Sequence, residues 1–272
     1  MASRSRPRLL ALRAMPPRPV RLLAGVATVA LVVLLWFLLT LGAAESRVIS
    51  PSLLPSPGEV ARSLPSLVTE RGLFDSILAT LWRVVAGFLL GVLVGVPLGI
   101  LAGAYRVFDA ASAPLAIFGR NIPIAALIPL TILWFGIDET QKIFFIFIAT
   151  VPFVFGVTVS AIAGVHDRYV ETAQTLGARE RQVIFKVLIP LAMPDIFDQL
   201  RQLFGLAFGY IMLAELINAK EGLGFLLSAS QRRGLSEHIF LILIVIGLLA
   251  YLIDLVLRRL QKELFPYREV EG

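Results

Sequence analysis

The chain has 272 residues, 57% of them apolar and 16% charged. Soluble domains run at about 45–50% apolar and about 25% charged, so a water-soluble globule is excluded. A mean hydropathy of +0.83 excludes a disordered chain as well, since such chains are poor in Leu, Ile, Val and Phe. With no cysteines and two histidines, disulfides, Cys-based metal sites and thiol catalysis are out. The composition is that of a membrane protein, and the net charge of +6 has to be read from where the Lys and Arg residues fall.

The first apolar run, Leu22–Leu41, has twenty residues without a charge and follows Arg4, Arg6, Arg8, Arg13, Arg18 and Arg21. A secretory signal would share the basic start, and Ala43-Ala44 resembles a cleavage region. Its apolar core, however, is usually about 7–15 residues, whereas twenty cross a bilayer of about 30 Å. A retained helix is therefore expected. Val84–Tyr105 and Ile143–Val165 are charge-free. Asn121–Ile137 is also charge-free but contains Pro123 and Pro129, with an apolar lead-in over Ala110–Gly119. Gln202–Ala219 carries Glu215, and Ile239–Leu257 carries Asp254. The expectation is an all-α polytopic membrane protein with about six transmembrane helices.

Orientation follows the distribution of Lys and Arg. With the N-terminus inside, the inner segments (the N-tail, 106–120, 164–199 and the C-tail) hold sixteen of them and the outer segments seven. Arg83 and Arg201 fall at span edges, where a long side chain can snorkel. Both termini are thus expected to be cytoplasmic, and no nucleic-acid partner is implied. The corresponding division is a basic tail over 1–21, a first span over 22–42, an outer segment over 43–78, a membrane core over 79–260 containing a loop at 164–190, and a C-tail over 261–272.

Gly87, Gly91, Gly95, Gly99 and Gly103 recur every four residues along the second span. They bare one helix face for close approach, either by a helix of the same chain or at a seam between subunits. Pro97, Pro123, Pro129 and Pro152 interrupt spans, and broken helices are tolerated at membrane depth against protein or a wet cavity. Pro123 and Pro129 are therefore candidate pathway or gate positions. Glu215 is a third, with a buried hydrogen-bonding role as its alternative. Asp254 reads as a surface pair with Arg258, and His166 and His238 read as interfacial. No catalytic constellation or metal-ligand cluster is visible. The Gly-x4-Gly-Lys-Ser/Thr phosphate loop is absent, so any ATP used must be bound by another polypeptide.

The most patterned segment lies between the fourth and fifth spans: Tyr169-Val-Glu-Thr-Ala-Gln-Thr-Leu176-Gly177, then Val183-Ile184-Phe185-Lys186-Val187-Leu188-Ile189-Pro190. Val170, Ala173 and Leu176, then Val183, Ile184 and Val187, recur at helical spacing on either side of Gly177. Two short amphipathic helices joined by a Gly bend are expected, either docking a partner or lying in the headgroup region.

Glu171-x-Ala173-x3-Gly177, nine residues and Val187-x-Ile189-Pro190 resemble the EAA loop of ATP-binding-cassette importer permeases. That family's pattern is Glu-Ala-Ala, Gly and Ile-x-Leu-Pro, and this chain departs from it at Thr172, Val187 and Ile189. Four further stretches are similar to the nitrate, sulfonate, taurine and bicarbonate branch: Leu54-Pro-Ser-Pro-Gly-Glu-Val60, Leu81-Trp-Arg-Val84 with Gly87-Phe88, Ile122-Pro123 through Trp134-Phe-Gly136, and Ala214-Glu215 with Gly222-Leu-Gly-Phe225. The resemblance covers nearly the whole chain after Ile49.

It implies a type I importer permease fold in a bacterial inner membrane. It also implies a second, usually identical, permease subunit, two ATPase subunits and a periplasmic or lipid-anchored binding protein. The chain itself binds no cofactor on this reading, ATP and magnesium belonging to the partner ATPase, and it is not an enzyme. By the same resemblance, Glu171, Ala173, Leu176, Gly177, Val183, Val187 and Pro190 form a coupling helix region seated in the ATPase. An ion-driven secondary transporter and a non-transporting scaffold remain as alternatives, neither of which needs such a loop. The resemblance favours a small oxyanion or sulfonate as solute, though related permeases carry neutral compounds too.

Overall fold

The computed structural model describes residues 16–42, 47, 49–217 and 219–267. Arg4 to Arg13, Ala43-Ala44 and Arg268 lie outside them. Every regular element among the described residues is helical: α1 Arg18–Leu39, α2 Pro57–Arg62, α3 Leu64–Thr69, α4 Leu73–Ala104, α5 Arg106–Asn121, a 3₁₀ turn Ile124–Ala126, α6 Leu127–Phe135, α7 Glu139–Ala163, α8 Asp167–Thr175, α9 Glu180–Val183, a π turn Ile184–Leu188, α10 Ile189–Leu216, α11 Leu223–Arg232 and α12 Ser236–Leu264. α1, α4, α7 and α12 are each long and apolar enough to cross a membrane, and the pair α5 with 124–135, bent by 87°, forms a fifth such unit. α10 has 28 residues and is long enough, at about 42 Å. It is less apolar, carrying Asp195, Asp198, Arg201 and Glu215.

The expected third span needs correction. Residues 106–120, read as an inner loop with an apolar stretch leading into the span, form the helix α5. Tyr105 is an extended corner between α4 and α5, from which the chain re-enters the bundle and then breaks at Ile122-Pro123. The cause is local: the residue before a proline is pushed out of helical geometry, and Pro123 has no N–H to continue the ladder.

The glycine row explains how the bundle is built. A Cβ on Gly87, Gly91, Gly95, Gly99 or Gly103 would stand 2.5–2.7 Å from Ile146, Thr150, Val154, Thr158 or Ile162 respectively. Each bare position on α4 thus seats one β-branched residue of α7. The constant offset means that the two helices run parallel. A contact row repeating every four residues, more than the 3.6 of a helical turn, stays on its partner only if the helices wind right-handedly about one another. The seam lies within one chain. Phe88, Phe145, Ile146, Val154, Leu203, Ala207, Phe208 and Ile211 extend this packing to α10.

At the end of the bundle away from the 164–190 loop, short helices form a cap. Ser56-Pro57-Gly58-Glu59 is a capping box: Ser56 Oγ accepts the Glu59 N–H at 3.3 Å, Glu59 Oε2 accepts the Ser56 N–H at 2.7 Å, and Pro57 occupies the first turn. Arg47 donates to both Glu59 oxygens, at 3.0 and 2.9 Å. α1, exposed along most of its length, meets this cap through Trp36, whose Nε1 donates to Pro55 O at 2.9 Å and whose ring stacks on Phe240.

Two predictions follow from this packing. Gly95→Leu should lower the detergent-solubilised unfolding midpoint by several degrees, an overpacking cost of about 1–3 kcal/mol or more. Gly58→Ala, whose Cβ meets nothing within 4 Å, should not lower it, and equal midpoints for the two variants would overturn the seam. At the cap, the Arg47 hydrogen bonds hold the Glu59 carboxyl at about 2, against 4.5 ordinarily. A depressed carboxyl adds stability that is fully present above pH 4.5 and fades as the pH falls through about 2. In a variant keeping only Trp36, emission should shift to the red over that window. Arg47→Met should move the transition to higher pH and shrink it, the Ser56 hydrogen bonds alone remaining on the carboxylate, and an unchanged pH profile in that variant would sink the assignment.

Candidate functional site

The 164–190 loop is ordered by its own backbone. His166 Nδ1 accepts the Arg168 N–H at 3.4 Å at the start of α8. At its other end Gly177 adopts φ +81°, the Gly177 N–H reaches Gln174 O at 2.9 Å, and the Ala178 N–H reaches Ala173 O at 2.9 Å. Those two bonds around a left-handed glycine make a Schellman motif. α9 then opens with the Arg179 N–H donating to Gln182 Oε1 at 2.8 Å. From Glu180 the helix runs through the π turn into α10, passing Pro190, so the second loop helix is the foot of a long helix ending at Leu216. Pro190 takes one N–H out of the ladder at this junction, directly after the π turn, which accommodates the interruption.

The sequence-predicted residues fall on three surfaces of this loop. Leu176 is 83% exposed and lines an open groove of about 440 Å³ together with Arg168, Tyr169, Thr172, Ala173 and Val187. Glu171 is exposed on α8, and no hydrogen bond to its carboxylate is made by a described residue. Val183, expected on the docking side, is instead 5% exposed and supports the loop from behind, because the continuous helix turns that position inward. Phe185, 68% exposed, occupies the outer face. Pro190 O accepts the Tyr267 hydroxyl at 3.0 Å, which ties the end of the described chain to the foot of α10.

A second constellation lies at the cap end. Glu215 is fully buried. Its carboxylate accepts Arg83 Nη1 at 2.7 Å, Thr80 Oγ1 at 2.9 and 3.0 Å, and the Gly224 N–H at 2.9 Å. Arg83, expected to snorkel, is also fully buried. It grips Glu139 with Nε and Nη2, both at 2.6 Å, and Glu221 O with Nη1 at 2.8 Å. The surrounding sequence now has a reason. A Cβ on Gly222 would lie 2.5 Å from the Glu215 carboxylate, and one on Gly224 would lie 2.6 Å from Glu215 Cβ. Only glycines let the start of α11 close over the acid, whose charge suits a helix N-terminus.

Sequence reasoning found Glu215 and missed Arg83, Thr80 and Glu139. The available signal was a lone cation and a lone acid of opposite sign in two apolar stretches. Pro123 starts the 3₁₀ turn and Pro129 lies in the first turn of α6, both exposed. Asp254 pairs with Arg258 at 2.7 Å and also with Arg201 at 2.6 Å, while Arg201 binds Asp198 at 2.8 Å. His238, in the first turn of α12, is 6% exposed, its Nε2 lying 2.9 Å from Ser66 Oγ.

Breaking a buried ion pair from one side leaves an uncompensated charge, at about 3–5 kcal/mol. Arg83→Met and Glu215→Leu should each destabilise the folded chain by about that much in mixed-micelle denaturation. The double variant should lose clearly less than the sum. Strict additivity would show that the two side chains act independently.

Comparison with known proteins gives the family. The profile described as "Binding-protein-dependent transport system inner membrane component" matches residues 95–266. The taurine transport system permease protein TauC of Escherichia coli (strain K12) is 33% identical, with 89% of each chain covered. The nitrate import permease protein NrtB of Synechocystis sp. is 32% identical over 78% of this chain and 81% of its own. The putative aliphatic sulfonates permease SsuC of Bacillus subtilis (strain 168) is 31% identical over 81% and 80%. Among solved structures, an inward-facing form of the MetNI methionine ABC transporter superposes with a TM-score of 0.64 at 22% identity, covering 70% of this chain and 95% of that one. An amino acid ABC transporter crystallised with histidines gives 0.60 at 19% identity, covering 75% and 97%. The all-helical bundle is thus the type I importer permease fold, and the chain belongs to the binding-protein-dependent inner-membrane component family: it is a multi-pass ABC importer permease.

Proposed function

We propose that this chain is the membrane-spanning subunit of an ATP-driven, binding-protein-dependent importer, and that the 164–190 loop is where a separate ATPase subunit takes hold. The observation that carries this reading is the loop itself. α8, the Gly177 turn and α9 present Leu176 and Glu171 outward on a rigid frame, and that frame continues without a break into α10. Leu176 supplies apolar docking area. Glu171 supplies a carboxylate for helix-end N–H groups or an Arg of the partner. Val183 and Pro190 hold the frame in place, and Gly177 sets its angle.

In this reading two copies of the chain enclose the path. The ATPase binds ATP and magnesium, and the chain hydrolyses nothing itself. A periplasmic or lipid-anchored binding protein delivers solute at the cap end. Both termini lie in the cytoplasm of a bacterial cell, as the distribution of Lys and Arg favours. The relatives' names support a small solute that bears an oxyanion group, such as taurine, a sulfonate or nitrate. Driving the coupling frame and the α10 foot together would rock the bundle between inward- and outward-facing states.

The test is capture and coupling. The purified chain should show no ATP hydrolysis, whereas its complex with the cognate ATPase should hydrolyse ATP and import solute. Glu171→Arg, Leu176→Asp and Gly177→Trp should each weaken ATPase capture about tenfold or more while the chain still inserts and stays monodisperse. Normal capture and import by all three variants would overturn the docking assignment. Solute accumulation by the chain alone, without nucleotide, would overturn the importer reading.

A further inference from the structure

Among the described residues, several charges of the long helices are held in ion pairs. Arg83 and Lys142 share Glu139, and Arg201 is held by Asp198 and Asp254. Arg120 is exposed and forms no ion pair with a described residue. Its Nε donates to Ala116 O at 3.4 Å, one turn back on its own helix.

Its depth is fixed by what it touches. α7 has 25 residues, about 37 Å of helix, and Pro152 stands close to its midpoint. A Cβ on Gly119 would lie 2.7 Å from Pro152 Cγ, and one on Gly156 would lie 2.9 Å from Arg120 Nη1 and 3.3 Å from Cζ. The end of α5 is therefore level with the middle of α7. The guanidinium rests in the slot left by Gly156, roughly 6 Å nearer the loop end. An unpaired cation at that depth belongs in a water-filled cavity or the bundle interior and not against lipid.

A second observation points the same way. Directly after Arg120 the helix breaks at Ile122-Pro123 and the next segment turns by 87°. Non-helical backbone at membrane depth persists only where protein covers it or where it borders water. The guanidinium lies on the loop side of Pro152 and the broken backbone on its cap side, about 10 Å apart along the bundle by helix rise, so both fall in the middle part of the spans.

We propose that Arg120 is a solute-contacting residue of the translocation path, receiving the oxyanion head of the passing solute on its guanidinium. This rests on the importer reading and names the solute chemistry for it: a small sulfonate, nitrate or carboxylate group. The planar fork of N–H donors matches such a head two bonds at a time. One Arg120 from each copy, without a ring of further cations, holds an anion briefly, as a path requires of any site that must also release its cargo.

The chain lacks cysteine, so Arg120→Cys creates a single thiol in each copy. In proteoliposomes of the complete complex with Cys-free partners, that thiol should react with a water-soluble anionic methanethiosulfonate in the nucleotide-free or the ATP-bound state. ATP-driven uptake of taurine, methanesulfonate and nitrate is then compared. Arg120→Gln should raise the KM of the transported oxyanion-bearing solute about tenfold or more, and Arg120→Lys should recover most of that loss. A thiol unreactive in both states, an Arg120→Gln variant with wild-type KM, or a wild-type complex importing only solutes without an oxyanion group overturns the proposal and leaves the importer reading standing. A wild-type complex that imports nothing with ATP removes the importer reading, and this proposal with it.

Discussion

The contact between α4 and α7 is the constraint on which the rest of this bundle depends. In lipid there is no hydrophobic gain in choosing a neighbouring helix over an acyl chain, so association rests on close packing and on polar bonds between helices. Five glycines at four-residue spacing allow α7 to press its β-branched residues directly onto the α4 backbone. Dispersion energy is then gathered over nearly the full thickness of the membrane. α10 packs against this pair through Phe208, Ala207 and Ile211, and α5 meets α7 at Gly119 and Gly156. Without the parallel pair, none of the sites discussed would have a fixed wall.

Close packing fixes distance and leaves the termini free to slide, and here the buried ions act. Arg83 reaches α7 through Glu139, α10 through Glu215 and the segment before α11 through Glu221 O. Thr80 adds to this, donating to Glu215 and accepting the Leu223 N–H at 2.9 Å. Four elements are pinned at one level by groups whose separation would strand a charge in a low-dielectric interior. Such a network adds little net stability over an apolar core of the same shape. What it adds is register, since only one alignment of the four satisfies every bond. Arg201 with Asp198 and Asp254 repeats the device between α10 and α12.

Much of this was legible in the sequence, for reasons particular to the residues. Apolar runs locate spans, and the glycine spacing marks a close helix contact, although the sequence alone left open whether the partner helix lay in the same chain. Gly177 between two amphipathic segments announces a turn, because few other residues adopt φ +81°. The third span was misread because α5 is only modestly apolar and its Arg106 and Arg120 looked like loop charges. Nothing in local composition reveals that the chain re-enters the bundle. Arg83 was misread for a related reason: a cation near a span edge can snorkel or be buried against acids, and its partners are 56 and 132 residues away.

The helical stretch from Glu180 to Leu216 joins the two regions that carry the chemistry. It covers 37 residues in three assigned pieces, about 55 Å of helix, with the loop at one end and Glu215 within the ion network at the other. Its compliance is unevenly distributed. The π turn at Ile184–Leu188 and the prolines at 190 and 194 all lie within the first fifteen residues, and such features are where helices bend. Beyond Pro194 the helix is uninterrupted and packs on α4, α7 and α12. A displacement applied at the foot is therefore absorbed locally in part. The remainder reaches the cap end as a motion of the whole rod, where the Glu215 bonds oblige α11 and the Arg83 side chain to follow.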